Sequence, residues 1–315
     1  MRDGHVKNLF LPVGLLISFV VAWLFPALGN QLKELGLIPW TVVAIFIVNG
    51  YQTKLSELPK DKHFFSALAA AGIITLLLAP LLGSVVAHFL AFGSGMALGL
   101  IVKATVPSTL STCIVMTQLA GGNALWALMI TVILNVIGVF TIPMMLSLTL
   151  GGADGIALSP WDLLFKLILL VLLPFIGGLA AKRLLSLSPN HIVLQYLPSS
   201  CVIAAVWMSL SSSNDVFRSL EWGVLLKILI ATFVVHFGLM ALAWMASRLL
   251  KTPNEGVVAL LLTSSQKTLP VAVSVLAALN QQVGEAILVC VLFHFIQLFA
   301  DASLVPKMAK RWQQA

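Results

Sequence analysis

Residues 262–274 read LTSSQKTLPVAVS, and this stretch places a lysine and a proline in the middle of a long apolar run. An α-helix advances 1.5 Å per residue, so Lys267 lies about 20 Å beyond Asn254, and further apolar residues follow it. The ammonium group therefore cannot easily reach either end of such a helix. A buried charge of this kind is costly and indicates a functional site inside a membrane.

The composition of the whole chain agrees with a membrane location. Of 315 residues, 60% are hydrophobic and 9% are charged, with a mean hydropathy of +1.05, which predicts an all-α integral membrane protein. Ten apolar stretches are each long enough to be expected to cross a hydrocarbon core of about 30 Å as a helix. They fall near residues 9–29, 36–52, 64–92, 95–121, 123–150, 162–181, 192–213, 222–250, 254–280 and 284–306.

The distribution of Lys and Arg predicts the orientation. With the N-terminus in the cytoplasm, twelve basic residues fall in inside segments and two, Lys33 and Arg218, in outside loops. Because basic residues concentrate on the cytoplasmic side, we expect a multi-pass inner (plasma) membrane protein with both termini cytoplasmic. The net charge of +7 comes from basic residues that mark the cytoplasmic side. We therefore expect the lipid bilayer as the surroundings of the protein and no nucleic-acid partner.

Three more lysines fall within predicted spans. Lys166 and Lys227 lie close to predicted helix ends, so we expect their side chains to extend to the lipid headgroups. Lys103 lies about 12 Å into its span at 1.5 Å per residue. It either extends outward in the same way or faces an internal cavity.

The apolar stretches divide into two sets of five. An odd number per set reverses the orientation of the second set, which predicts an inverted repeat of residues 1–153 and 154–315. The fourth and ninth helices are then equivalent, and both carry Ser/Thr clusters and a proline, Pro107 or Pro270, at mid-membrane. A proline lacks a backbone donor and clashes with the preceding turn, so both helices are predicted to break.

Polar pairs lie on the spans that follow each break. Thr131 and Asn135 are four residues apart, and His294 and Gln297 are three apart, so each pair shares a helix face. Either pair can serve a central site or make an ordinary interhelical hydrogen bond. His236 stands alone on the eighth helix, and we expect it to be a packing histidine with satisfied hydrogen bonds.

The stretch PSTLSTCIVMTQLAGGN (107–123), followed by ILNVIGVFTIP (133–143), resembles the bile acid:sodium symporter family, whose fourth helix carries V-M-T-x-L-A-x-G-N. With SSQKTLP (264–270), it is most similar to the sodium-dependent transporters described as bile-acid-symporter-like. The resemblance implies ten helices, with broken helices 4 and 9 crossing at mid-membrane. It also implies a core domain of helices 3–5 and 8–10 and a panel domain of helices 1, 2, 6 and 7.

The resemblance also implies a sodium site, which this sequence matches only in part. The family's Ser-Asn pair on helix 4 falls on Cys113 and Ile114, whereas the threonine on helix 5 is kept as Thr131. On helix 9 the glutamate falls on Leu262, and the Gln-Asn pair becomes Gln266 and Lys267. Sodium prefers oxygen ligands, usually with a carboxylate, so two of the best ligands are absent and no metal site is certain.

A positive charge at the crossing requires a negative partner. No acidic residue is predicted near the membrane centre, since Asp301 and Glu285 fall toward opposite ends of helix 10. We therefore expect Lys267 to take the place of bound sodium and an anionic substrate to be its counter-ion. Desolvation disfavours the ammonium form, so Lys267 could also release a proton and link transport to protons. Alternatively, Lys267 is a structural residue that holds the crossing together.

The function predicted from these features is secondary active transport of a small organic anion by alternating access, without enzymatic activity. No cofactor is expected apart from Na⁺ or H⁺ as a coupling ion. The candidate substrate-binding residues are Ser111, Thr112, Cys113, Gln266, Lys267 and Thr268. The candidate ion-coupling residues are Thr131, Asn135, Ser264, Ser265, Gln266 and His294. Two alternatives are an intramembrane hydrolase that uses Ser264 or Ser265 with His294, and a sodium-independent channel or facilitator.

Overall fold

The computed structural model describes residues 2–53, 58–110, 112–150, 159–185, 191–212, 221–279 and 284–313. Thirteen helices, with no strand, account for the regular structure of these residues. They are α1 (Arg2–Leu24), α2 (Pro26–Glu34), α3 (Leu37–Gln52), α4 (Lys62–Phe89), α5 (Ser94–Thr105), α6 (Thr112–Leu119), α7 (Ala124–Leu150), α8 (Pro160–Leu184), α9 (Ile192–Ser211), α10 (Trp222–Leu249), α11 (Asn254–Ser265), α12 (Leu269–Ala278) and α13 (Gly284–Gln313).

The helices are those of a multi-pass membrane protein, as the composition predicted. In the described ranges, seven helical segments are long and apolar enough to cross a membrane, with α11 and α12 counted as one. An eighth is possible if α1 and α2, which meet at a bend of 100°, form one span. The expected ten full-length spans are not confirmed, because α3 is short and the stretch 95–121 forms the two short helices α5 and α6.

The helices form two packed groups. In the first group α3 packs against α8 and α9, and α1 packs against α9. In the second group α13 packs against α5 and α10, α10 against α11, and α5 against α4. Large apolar side chains such as Phe89 and Trp222 are exposed on the outside, as expected for surfaces that face lipid.

Two glycines bring α3 and α8 into backbone contact. A Cβ atom at Gly50 would overlap the carbonyl oxygen of Phe175, and one at Gly178 would overlap that of Ile47. Small residues allow membrane helices to approach this closely, which increases their van der Waals contact. The α3–α8 pair is therefore a closely packed unit within the first group.

Two predictions about lysines near helix ends have different outcomes. Lys227 is exposed, as expected for a side chain that extends to the headgroups. Lys166 is instead partly buried, and its Nζ donates to the carbonyl oxygen of Ala278, 2.6 Å away at the end of α12. The carbonyls of the last helical turn lack helical donors, so the lysine acts as a C-terminal cap.

Replacing Gly178 with valine should destabilise the protein, because the new side chain overlaps the α3 backbone. Overpacking of this kind costs roughly 1–3 kcal/mol. Thermal unfolding of the purified protein in detergent measures the effect. Gly177→Val is the matched control, since a Cβ at Gly177 meets no atom within 4 Å. Equal unfolding temperatures for the two variants would contradict the close α3–α8 contact.

Candidate functional site: the crossing of two broken helices

The two predicted breaks meet inside the protein. The fourth apolar span is interrupted between Thr105 and Thr112, and the ninth between Ser265 and Leu269. The backbone N–H of Thr268 donates to the carbonyl oxygen of Pro107, 2.8 Å away. We call residues 106–110 and 266–268 the crossing. Both predicted breaks are confirmed, and this hydrogen bond joins them directly.

The first half of the crossing is held by α7. The hydroxyl oxygens of Ser108 and Thr131 are 2.7 Å apart. Asn135 donates through Nδ2 to the backbone oxygens of Ser108 at 3.1 Å and Thr131 at 2.8 Å. The predicted pair of Thr131 and Asn135 therefore shares a face and binds the interrupted backbone.

The second half is held by α13. Gln297 accepts from the backbone N–H of Lys267 at 3.0 Å and donates to the carbonyl oxygen of the same residue at 2.8 Å. Its Nε2 is also 3.1 Å from Nδ1 of His294. The other ring nitrogen of His294, Nε2, is buried and has no partner among the described residues. Gln297 thus donates to the carbonyl of Lys267 as Asn135 donates to that of Ser108, and it also accepts from the Lys267 N–H.

Two lysine side chains are completely buried at the crossing. Nζ of Lys103 donates to the carbonyl oxygen of Lys267, 3.0 Å away, and lies 5.8 Å from the ring centre of Phe293. Nζ of Lys267 donates to the carbonyl oxygen of Thr75 at 3.2 Å. Of the two alternatives for Lys103, extension to the headgroups is wrong, because its side chain is fully buried. The crossing therefore contains two potential positive charges.

A π-helical segment of α4 supplies the partner of Lys267. Residues Ile73–Leu78 form this segment, and the N–H of Ala79 donates to the carbonyl oxygen of Ile74. In the same register the carbonyl of Thr75 would accept from residue 80, but Pro80 has no N–H. The Thr75 oxygen is left without a helical donor and can accept from the lysine.

Asp301 also lies at the crossing, which corrects its predicted position near a helix end. Its side chain is fully buried, and Oδ2 accepts from Nε2 of Gln266 at 2.8 Å. Its Oδ1 is 3.0 Å from Nε2 of His236. The Nδ1 atom of His236 is in turn 3.2 Å from the carbonyl oxygen of Ser265. His236 has satisfied hydrogen bonds, as expected, but it also forms an ion-pair geometry that the sequence did not suggest.

Two of the positions where the resemblance implies sodium ligands, Cys113 and Leu262, are apolar here. Cys113 and Leu262 are fully buried in one hydrophobic cluster with Ala120, Val258 and Val305. The side-chain oxygen of Gln266 already accepts from the hydroxyl of Thr112 at 3.2 Å. Sodium requires several oxygen ligands, so the described side chains at these positions do not fit a sodium ion. Ser111 lies outside the described residues.

In the described part of the chain the two serines before the break make no side-chain hydrogen bond to His294. Ser265 donates through Oγ to the carbonyl oxygen of Leu261 at 2.9 Å, within its own helix. The Oγ of Ser264 is buried without a described partner. A serine nucleophile needs a base within hydrogen-bonding distance, so the geometry does not favour the hydrolase alternative.

A membrane bundle in which two broken helices cross beside buried ionisable side chains has the organisation of a secondary transporter. The sequence model of the SBF-like CPA transporter family (DUF4137) matches residues 9–310, so the chain belongs to this family. The resemblance to bile acid:sodium symporters is thereby confirmed.

Two relatives with similar sequences carry the same name, "Probable sodium/metabolite cotransporter BASS4, chloroplastic". The protein from Oryza sativa subsp. indica is 28% identical, over 99% of this chain and 78% of its own length. The protein from Arabidopsis thaliana is 29% identical, over 96% of this chain and 73% of its own length. The similarity therefore includes both broken helices.

Replacing Gln297 with leucine should destabilise the crossing, because the backbone N–H of Lys267 would lose its partner and its C=O would keep only the bond from Lys103. Each unsatisfied buried group costs about 1–3 kcal/mol. Thermal unfolding measures the loss, with Gln118→Leu as the control, since Gln118 is exposed. If Gln297→Leu unfolds at the control's temperature, Gln297 does not hold the interrupted backbone.

Proposed function

We propose that this protein is a cation-coupled symporter that carries a small organic anion across the plasma membrane by alternating access. The observation that carries the proposal is the pair of fully buried lysines, Lys103 and Lys267, at the crossing of two broken helices. The family membership supports a transporter. The names of the plant relatives support symport of a metabolite with sodium.

The charges at the crossing favour an anionic substrate. An ammonium group has three N–H donors, and each lysine Nζ makes one hydrogen bond to a carbonyl within the described residues. The partial positive charges at the first turns of α6 and α12 add to this field. An anionic substrate would supply the missing negative charge, with Lys267 in the role of a fixed cation.

The packing of the helices supports a core that moves against a panel. The α1, α3, α8 and α9 group corresponds to the panel that the resemblance implies. A small apolar gap between this group and the core is lined on the core side by Leu110 and Asn135, and on the panel side by Phe46 and Phe175. Separation of the two groups at this gap would open a path to the crossing.

Ten spans in two inverted repeats remain part of the proposal. The bent pair α1–α2 and the broken pairs α5–α6 and α11–α12 each count as one span, which gives five before residue 154 and five after it. The matching roles of Asn135 and Gln297 support the repeat, because each holds the break of the helix that precedes it. With this topology and the basic residues inside, both termini are cytoplasmic.

Lys267→Gln tests the anion site. We expect purified wild-type protein in proteoliposomes to exchange at least one of three radiolabelled anions, pyruvate, succinate or taurocholate, against the same anion inside. In Lys267→Gln this counterflow should fall by at least about tenfold, because a buried charge that pairs with the ligand is lost. The exposed Lys227→Gln serves as the control.

Two outcomes contradict the proposal in different ways. Unchanged counterflow in Lys267→Gln, with a lower unfolding temperature, assigns the lysine a structural role at the crossing. Flux without trans-stimulation or saturation indicates a channel, because a carrier is accelerated by substrate on the opposite side whereas an open pore is not.

A further inference from the structure

The Asp301–His236 pair carries an inference about the coupling ion, which rests on the proposed transport function. We propose that these two side chains form a proton-binding site, and that the proton they bind is the ion coupled to anion transport. The pair joins α13 and α10 to the interrupted backbone of the ninth span, through Gln266 and the carbonyl of Ser265. Both side chains are at most 1% exposed.

Both contacts of His236 can be hydrogen bonds at the same time only if a proton lies between the two side chains. The Ser265 carbonyl is only an acceptor, so the bond at 3.2 Å requires a hydrogen on Nδ1 of His236. A neutral imidazole with its hydrogen on Nδ1 presents a lone pair at Nε2. An ionised Asp301 would then face that lone pair at 3.0 Å, with no hydrogen between the two acceptors.

One added proton removes this conflict. It sits either on Nε2, which gives an imidazolium beside a carboxylate, or on Oδ1, which gives a carboxylic acid beside a neutral imidazole. In both cases Nδ1–H still donates to Ser265, and Gln266 still donates to Oδ2 of Asp301. The proton changes the charge of the pair from minus one to zero, and with it every acceptor of the pair has a donor in the described geometry.

Release of the proton would disturb the crossing itself. The remaining hydrogen of His236 can serve either Ser265 or Asp301, but not both. The Ser265 carbonyl is the last in α11 and has no helical donor, since the helix is interrupted after it. A proton leaving the pair therefore breaks one of two hydrogen bonds, that of His236 to Ser265 at the end of α11 or that of His236 to Asp301 between α10 and α13. Ser265 directly precedes Gln266 and Lys267 in the chain.

The other described ionisable groups near the pair make no hydrogen bond or ion pair with Asp301 or His236. Within the described part of the chain, His236 makes the one ion pair of Asp301. Cys113 on α6 is fully buried on the same side. The ammonium groups of Lys103 and Lys267 donate to backbone carbonyls, and His294 contacts Gln297. No described lysine or arginine nitrogen replaces His236 as the partner of the carboxylate.

Asp301 lies in the second half of α13, so its proton would have a short route to water at the C-terminal end of this helix. Lys307 is exposed and lies six residues beyond Asp301, about 9 Å along the helix. A modest opening at this end would let the proton pass between Asp301 and the cytoplasm. In one transport cycle the pair would take a proton from water on one side, and the loaded pair would move with the anion. The proton would then return to water on the other side. Movement of one proton together with one monovalent anion transfers no net charge across the membrane.

Nitrogen NMR of ¹⁵N-histidine-labelled full-length protein tests proton binding without any substrate. The sequence has six histidines, and the signal missing in His236→Gln identifies residue 236. We expect the wild-type nitrogen shifts of His236 to change with pH as one proton binds. In Asp301→Asn the asparagine amide can donate to Nε2, so the Nδ1–H tautomer is satisfied without an added proton and the wild-type response of the His236 signal should be lost. Glu285→Gln, at the start of the same helix, should behave as wild type.

A transport measurement tests the coupling. The probe is whichever of pyruvate, succinate and taurocholate shows counterflow in the wild type. An imposed pH gradient, without sodium, should drive accumulation of this anion, and Asp301→Asn should lower the accumulation by about tenfold, within the usual range of coupling energies. The unfolding temperature of Asp301→Asn, measured beside that of wild type, separates loss of coupling from misfolding.

Three results overturn the proposal. The first is a His236 signal that does not change between about pH 4 and pH 10 in the wild type, a range wider than that of ordinary histidines. The second is equal proton-driven accumulation in wild type and Asp301→Asn. The third is accumulation driven by a sodium gradient alone, which assigns the coupling to sodium. Failure of the anion proposal is separate: no anion would show counterflow, while the NMR result would still decide proton binding.

Discussion

The interruption of two helices within the membrane is the constraint on which the rest of the structure depends. Backbone groups freed in a hydrocarbon environment have no water to bond, so the protein must supply every partner. The N–H of Thr268 and the carbonyl of Pro107 satisfy each other. Asn135 and Gln297 satisfy the neighbouring groups on either side. Asn135 of α7 and Gln297 of α13 are therefore matched to the interrupted backbone of the fourth and ninth spans.

The arrangement of charge follows from the same constraint. Lys103 and Lys267 extend their ammonium groups to carbonyl oxygens, whereas Asp301 bonds to an amide and an imidazole. The acidic and basic groups thus occupy separate contacts along one short piece of chain, residues 265–268. A ligand that changes one contact must also shift the others, because they share a backbone. The proposed link between an anion and a proton rests on this shared backbone.

Much of the fold and part of the site could be predicted from the sequence. Pro107 and Pro270 in apolar runs predict breaks from steric and hydrogen-bonding rules alone, and the spacing of Thr131 and Asn135 gives their common face. Asp301 could not be placed, because α13 continues to Gln313, beyond the apolar stretch that ends near residue 306. Depth estimated from hydropathy therefore put the carboxylate too close to the surface. The pairing with His236 depends on the packing of α10 against α13, which no local pattern encodes.

Lys267 contacts α4 through a main-chain oxygen, that of Thr75, so a substitution at another residue is needed to change this contact. Any amino acid at residue 75 would present the same carbonyl oxygen, and substitutions there leave the acceptor in place. The residue that keeps this oxygen available is Pro80, five positions later, through a hydrogen that it lacks. A change of Pro80 to any other amino acid would restore a competing donor within α4. The hydrogen bond of the Lys267 side chain thus depends on a proline that takes no part in it.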